Sequence, residues 1–190
     1  TGLQRDSDTF VDHVPDDRFY IAPALKWQPS SDTSLTLLSH FQKTKSKYVF
    51  GLPPHGTIYS NPNGRIPVSR YIGEPDRDYY ENEIHSLGYL LEHAFSDTLK
   101  LRNNVSLFNA SSSMPATWPM GATFTDQTLS SISRFAESKR EDHSQAFNAD
   151  LSLQYDWQLG ETANTLLVGT DRTIQHHRSE RWLNFPADLN

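Results

Sequence analysis

Apolar and polar residues alternate strictly along several stretches of this chain. Between Phe147 and Trp157 the odd positions are apolar or small, and the even positions are polar. Successive side chains of a β-strand point to opposite sides, so a period of two predicts a strand with one apolar and one polar face. The alternation alone leaves open whether protein or lipid covers the apolar face.

The same alternation recurs elsewhere and predicts an all-β antiparallel up-and-down meander of about six to seven strands. The further stretches are 18–27, 33–42, 84–95, 99–107 and about 164–172. A turn at PSSD (29–32) joins the first two stretches, and Ser96-Asp97 forms another tight turn. Pro23 lies inside the first stretch, where its missing N–H predicts a bulge or a lost hydrogen bond. No stretch predicts a helix.

The connections and the aromatic residues favour a membrane barrel over a soluble sheet. Short connections alternate with long irregular regions at roughly 45–79 and 110–142, as in outer-membrane barrels, which have short periplasmic turns and long outer loops. Aromatic residues border the short turns, where an aromatic girdle at the membrane interface would lie. The predicted girdle residues are Trp27, Phe95, Tyr155 and Trp157.

The opposite face of the strands is hydrophilic and suits a hydrated lumen. Its charged residues are Arg18, Lys26, Glu92, Lys100, Arg102, Asp150 and Asp156. Solvent outside a soluble β-sandwich explains these charges equally well, so the sequence pattern keeps a second hypothesis open. That alternative is a soluble or surface-exposed β-sandwich that binds carbohydrate or protein.

Composition narrows the function classes. The mean hydropathy is −0.63, and no apolar run approaches the about 18 residues of a membrane helix, whereas a barrel strand needs only about 9 to 11 residues. The formal charge of −6 gives no reason to expect nucleic acid as a partner. The chain has no cysteine, so it has no disulfide and no thiolate metal site.

Catalytic and metal-binding motifs are not found. There is no nucleophile elbow, phosphate loop or zinc-protease motif. Asp150 and Asp156 share a face but lie about 20 Å apart at strand rise, too far for a glycosidase pair. His176 and His177 point to opposite faces if they lie on a strand, and we interpret them as surface residues. A barrel enzyme such as a protease or lipase, the third hypothesis, therefore has no candidate residues.

Several ordered blocks closely resemble the barrel of TonB-dependent siderophore receptors, with the ferrichrome-receptor branch as the nearest match. The blocks are RFYIAPALKWQPSSDTSLTLLSHFQK, YVFGLPPHGT, NPNGRIPVSRYIGEPD, LGYLLEHAFSDTLKLRNNV and TLLVGTD. The resemblance covers nearly the whole chain and is weakest at 111–140 and after 173. It implies that residues 1–190 are part of a 22-stranded outer-membrane barrel domain, without the plug, the TonB box and the remaining strands.

The resemblance also implies a function and a site. Such receptors bind a ferric siderophore, here expected to be of hydroxamate type, and import it with energy supplied through TonB. Iron is then carried only by the siderophore, and no cofactor of the protein is expected. Aromatic residues of the outer loops contact the siderophore in this family, and the matching candidates here are Tyr48, Phe50 and Trp118. The resemblance also implies that outer-membrane lipid surrounds the barrel.

Overall fold

The computed structural model describes residues 1–120 and 129–184, in which every regular element is a β-strand. The strands are β1 (Gly2–Arg5), β2 (Asp17–Ile21), β3 (Ala24–Trp27), β4 (Thr33–Ser46), β5 (Tyr80–Ala94), β6 (Leu99–Ser113), β7 (Ala116–Pro119), β8 (Arg134–Leu159) and β9 (Thr162–Asn184). Among these residues there is no helix with the length and apolar character that crossing a membrane requires.

All nine described strands belong to one antiparallel sheet. Strands that follow each other along the chain are neighbours in the sheet, from β1 through β2, β4, β5 and β6 to β8 and β9. β2 and β3 both pair with β4 and are separated only by Ala22 and Pro23, so they form one interrupted strand. The interruption that proline predicted is therefore present, and the predicted up-and-down meander is confirmed.

The connections lie at two ends of the sheet. Residues 28–32, 95–98 and 160–161 form short turns at one end. Gly160 has φ 63°, which suits the first position of a two-residue hairpin turn. Residues 6–16 and 47–79, and the described residues 114–120 and 129–133, lie at the other end. They are called here the first, second and third long loops, and the third contains β7.

Several strands extend beyond their predicted bounds. β6 and β8 extend into the region predicted to be irregular at 110–142, and β9 continues well beyond residue 172 to Asn184. Backbone pairing continues in this extension, for example at Ser112↔Asp142, with one register shift between Glu137 and Lys139 of β8. Both faces carry polar residues there, so the alternation disappears although the ladder continues. The pattern thus reveals only the amphipathic part of each strand.

The strand register places the apolar residues of neighbouring strands on one face. One row runs across Trp27, Leu35 and Leu91, and continues through Asn103 to Leu151. The adjacent positions, which point the other way, form the opposite row of Lys26, Thr36, Leu90, Asn104 and Asp150. Outside the polar extensions of β6, β8 and β9, the sheet therefore has one mainly apolar face and one mainly polar face.

Neither face of the sheet is covered by another layer within the described residues. The buried apolar residues lie in the long loops and in β7: Val11, Val14, Tyr71, Met114 and Ala116. Leucines in the middle of the sheet, such as Leu37 and Leu151, are more than 40% exposed. A β-sandwich would bury such leucines between two sheets. The β-sandwich alternative is therefore wrong.

Candidate functional site

The three aromatic residues that the sequence singled out form one cluster. Tyr48 and Phe50 lie at the start of the second long loop, and Trp118 lies on β7 in the third. Ring centroids are 4.8 Å apart for Tyr48 and Phe50, 5.3 Å for Tyr48 and Trp118, and 4.6 Å for Phe50 and Trp118. Tyr48 is 44% exposed, so part of the cluster is open to a ligand.

Contacts with β8 fix the orientation of Trp118. β7 pairs with β8 so that Trp118 lies opposite Phe135, and their rings stack at 6.4 Å with an interplanar angle of 12°. The indole Nε1 donates a 2.9 Å hydrogen bond to Oε2 of Glu137. Glu137 is only 3% exposed, and the Arg181 guanidinium lies 3.9 Å from its other oxygen. A buried carboxylate needs such partners, so this contact holds the indole firmly.

A second buried carboxylate joins the second and third long loops. Asp78 is 3% exposed and accepts hydrogen bonds from the Tyr71 hydroxyl at 3.1 Å, the Glu74 N–H at 2.7 Å and the Thr117 hydroxyl at 2.8 Å. The Arg77 guanidinium also donates to the Thr117 hydroxyl. Burial, and then the neighbouring Asp78 charge, raise the pKa of Tyr71 well above its ordinary range.

The first long loop packs against the second. Val11, Val14 and Tyr71 form a small buried apolar cluster. The Asp12 N–H donates to the Ser69 carbonyl at 2.8 Å, and the Ser69 hydroxyl donates to the Asp12 carboxylate at 3.2 Å. The long loops therefore form a packed cap at one end of the sheet, with the aromatic cluster in it.

The four predicted girdle residues lie at the opposite end of the sheet. Trp27, Phe95, Tyr155 and Trp157 are all on the apolar face beside the short turns and are 61%, 59%, 45% and 38% exposed. Tyr155 and Trp157 stack with ring centroids 5.6 Å apart. The structure thus separates the predicted residues into an aromatic cluster among the long loops and an aromatic row at the short turns.

His176 and His177 lie inside β9, opposite Gln145 and Ser144. Their side chains point to opposite faces, and the His177 ring is 2.8 Å from the Ser144 hydroxyl. Among residues 1–120 and 129–184 no group of three or more His, Cys, Asp and Glu residues could hold a metal ion.

Sequence reasoning missed Asp78, Thr117 and Glu137. The stretch GEPDRDYY signalled only a turn, because an aspartate in a polar loop is usually exposed. Glu137 lay in a region predicted to be irregular. Only the pairing of β7 with β8 and the packing of the loops bury these side chains.

Curated relatives confirm the family resemblance. The chain is 31% identical over 173 residues to the ferrioxamine receptor of Yersinia enterocolitica, covering 90% of this chain and 23% of the relative. It is 28% identical over 200 residues to the ferrichrome outer membrane transporter and phage receptor of Escherichia coli K12, covering 97% of this chain and 27% of the relative. The chain therefore spans about a quarter of the length of these relatives. No protein-family model matches it.

Solved structures confirm the fold. The ferric-catecholate import receptor of Escherichia coli K12 superimposes with a TM-score of 0.76 at 19% identity, over 93% of this chain and 27% of that protein. The siderophore receptor of Acinetobacter baumannii gives a TM-score of 0.70 at 20% identity, over 94% of this chain and 26% of that protein. The chain has the fold of one stretch of the β-barrel wall of outer-membrane siderophore receptors. Its location is the bacterial outer membrane.

Proposed function

We propose that this chain supplies part of the wall and outer mouth of a receptor that binds a ferric siderophore of hydroxamate type and imports it with energy delivered through TonB. The receptor is a transporter and not an enzyme, and iron reaches it only inside the siderophore. In this proposal the plug and the segment that contacts TonB belong to parts of the receptor outside residues 1–190.

The convergence of Tyr48, Phe50 and Trp118 carries the proposal. A ferric siderophore already surrounds its iron with oxygen atoms, so the protein has to recognise the outer surface of the chelate rather than the metal. Large, oriented aromatic rings suit that task because they bury apolar area and offer a hydroxyl or an indole N–H at the edge. The cluster lies among the long loops, which face the outside in barrels of this architecture.

The named relatives support the hydroxamate class. Two relatives that each match at least 90% of this chain are a ferrioxamine receptor and a ferrichrome transporter. Both names are consistent with siderophores of hydroxamate type. We expect the same chemical class for the ligand of this chain.

The apolar face of the sheet is proposed to contact lipid. Exposed leucines form its middle, and Trp27, Phe95, Tyr155 and Trp157 lie together at the short-turn end. Such a belt of amphipathic rings is typical of the membrane interface. Short turns are periplasmic in outer-membrane barrels, so we propose that the aromatic cluster of the long loops faces the outside.

Ligand binding by the purified complete receptor that contains this chain tests the proposal. The probes are ferrioxamine B and ferrichrome. We expect Tyr48→Ala and Trp118→Ala each to raise the Kd about tenfold, which corresponds to about 1.4 kcal/mol. Tyr79→Ala is a matched control, because Tyr79 has the same 44% exposure as Tyr48 but its hydroxyl lies 3.2 Å from the Ser113 hydroxyl.

Unchanged affinity in both variants would remove Tyr48 and Trp118 from the binding site. A wild-type receptor that binds neither hydroxamate probe but does bind a ferric catecholate would refute the hydroxamate class and keep the receptor function.

A further inference from the structure

We propose that Asp78 is a positioning residue for the aromatic cluster: it fastens β7 to the second long loop and thereby holds Trp118 against Tyr48 and Phe50. This inference rests on the proposed function, because it assigns a role within the same binding site. It adds a residue that lies outside the cluster and acts through Trp118.

Both oxygens of Asp78 are occupied, and they connect distant parts of the chain. Oδ2 accepts from the Tyr71 hydroxyl at 3.1 Å and the Glu74 N–H at 2.7 Å, both in the second long loop. Oδ1 accepts from the Thr117 hydroxyl at 2.8 Å, across 39 residues of sequence. Thr117 immediately precedes Trp118 on β7, so fixing its hydroxyl also fixes the backbone from which the indole projects.

The strand on the other side of Trp118 is tied to the same segment. The Arg134 guanidinium donates to the carbonyls of Ile72 at 3.3 Å and Gly73 at 3.0 Å. Arg134 precedes Phe135, whose ring stacks on Trp118. Residues 71–78, called here the clamp segment, therefore hold both β7 and the start of β8.

The close packing around Asp78 leaves its side chain no freedom. Its carboxylate is 1% exposed, and the Arg77 Nε lies 3.8 Å from Oδ1. A Cβ atom added to Gly73 would collide with the Asp78 carboxylate and the Tyr71 hydroxyl. A carboxylate can accept from every donor around it, whereas an asparagine amide would turn an NH₂ group toward at least one of these donors. Because the Thr117 hydroxyl already accepts from Arg77, and the Arg77 guanidinium also lies beside Oδ1, the acid fits this site better than its isosteric amide.

The test compares isosteric variants in the complete receptor. Asp78→Asn removes the charge, and Asp76→Asn is a matched control because Asp76 is an exposed aspartate two positions earlier in the same loop. Thr117→Val removes the bridging hydroxyl at nearly constant shape, and Thr117→Ser restores it. We expect Asp78→Asn and Thr117→Val each to raise the Kd for ferrioxamine B about tenfold, and Asp76→Asn and Thr117→Ser to leave it within about twofold.

A second measurement reports the position of Trp118 without ligand. The receptor is labelled with fluorotryptophan, and the fluorine resonance of Trp118 is identified by its loss in Trp118→Phe. Asp78→Asn is expected to shift or broaden that resonance and to leave the resonances of Trp27 and Trp157 unchanged. If the wild-type receptor binds no hydroxamate probe, the proposed hydroxamate ligand class fails while this spectrum still decides the positioning role.

A double-mutant comparison separates positioning from a general loss of structure. If Asp78 acts through Trp118, adding Asp78→Asn to Trp118→Ala changes the Kd no further. Two results overturn the inference: a full additional loss of affinity in the Trp118→Ala background, or an Asp78→Asn receptor with an unaltered Trp118 resonance.

Discussion

Tyr71 combines an apolar contact with a buried polar one. Its ring packs with Val11 and Val14, while its hydroxyl donates to Asp78. Hydrogen bonds to charged groups contribute about 1.5–3 kcal/mol, roughly twice the value of neutral ones. The same residue thus joins the first long loop to the clamp segment, and its protonation state matters for both contacts.

Alkaline titration checks this arrangement. Burial and the Asp78 charge raise the pKa of Tyr71 above the usual value of about 10. The contribution of Tyr71 to stability is therefore fully present below the unfolded pKa and is lost progressively as the pH rises from there through the raised value. Subtracting the near-ultraviolet titration curve of Tyr71→Phe from that of the wild type should give a phenolate midpoint above 10. A midpoint at the ordinary value would contradict the burial of this hydroxyl.

Gly73 lies so close to Asp78 and Tyr71 that no side chain fits at this position. Gly73→Ala places a methyl group into the Asp78 carboxylate and the Tyr71 ring, and such overpacking typically costs about 1–3 kcal/mol. Gly51→Ala in the same loop is a suitable control, because nothing lies within 4 Å of a Cβ there. Trypsin should cleave the long loops of Gly73→Ala about tenfold faster, and those of Gly51→Ala at the wild-type rate. Equal rates in the two variants would show that the clamp segment accommodates the methyl group.

Two adjacent leucines of one strand point to opposite faces of the sheet. Leu37 and Leu38 on β4 are 44% and 40% exposed, so their exposed fractions do not distinguish them. Leu37 lies between Leu25 and Tyr89 on the apolar face, and Leu38 lies between Ala24 and Gly88 on the polar face. The surroundings of the sheet, rather than contacts within it, distinguish these two positions.

Arginine substitutions at Leu37 and Leu38 measure that difference. In the complete receptor Leu37→Arg puts a charge among acyl chains and should cost about 2–4 kcal/mol, whereas Leu38→Arg faces the lumen and should cost less than about 1 kcal/mol. Reversible unfolding by urea in lipid vesicles measures both values. Equal costs for the two variants would show that lipid does not cover the Leu37 face.

The sequence pattern predicted the individual strands better than the way in which strands and loops pack together. Period-two alternation identified the strands wherever one face is apolar, and the prediction ended early on β6, β8 and β9, where both faces are polar. The stretch ATWP gave no signal of β7, because four residues that include Pro119 show no periodicity. Tyr48 and Trp118 could be selected one by one, but their meeting depends on that short strand and on the burial of Asp78.

The whole molecule exposes far more surface than a compact protein of its size. Its accessible surface is 12888 Å² at 21.7 kDa, whereas a folded monomer of that mass exposes about 9200 Å². The excess comes from a single sheet whose two faces and two outermost strands, β1 and β9, have no covering layer among the described residues. Leucines exposed side by side on one face of a sheet are typical of contact with lipid or with other protein.

The isolated chain of residues 1–190 should therefore depend on detergent. Without it, the exposed leucines and the edges of β1 and β9 that are open among the described residues favour association with other copies, so we expect large, polydisperse assemblies. Detergent covers the apolar face, but it cannot pair the strand edges because edge pairing needs another strand. Assembly should therefore decrease in detergent without disappearing. Sedimentation velocity with and without detergent measures both effects. A monodisperse monomer in plain buffer would require that the apolar face be buried within the chain itself, and it would refute the assignment of that face to lipid.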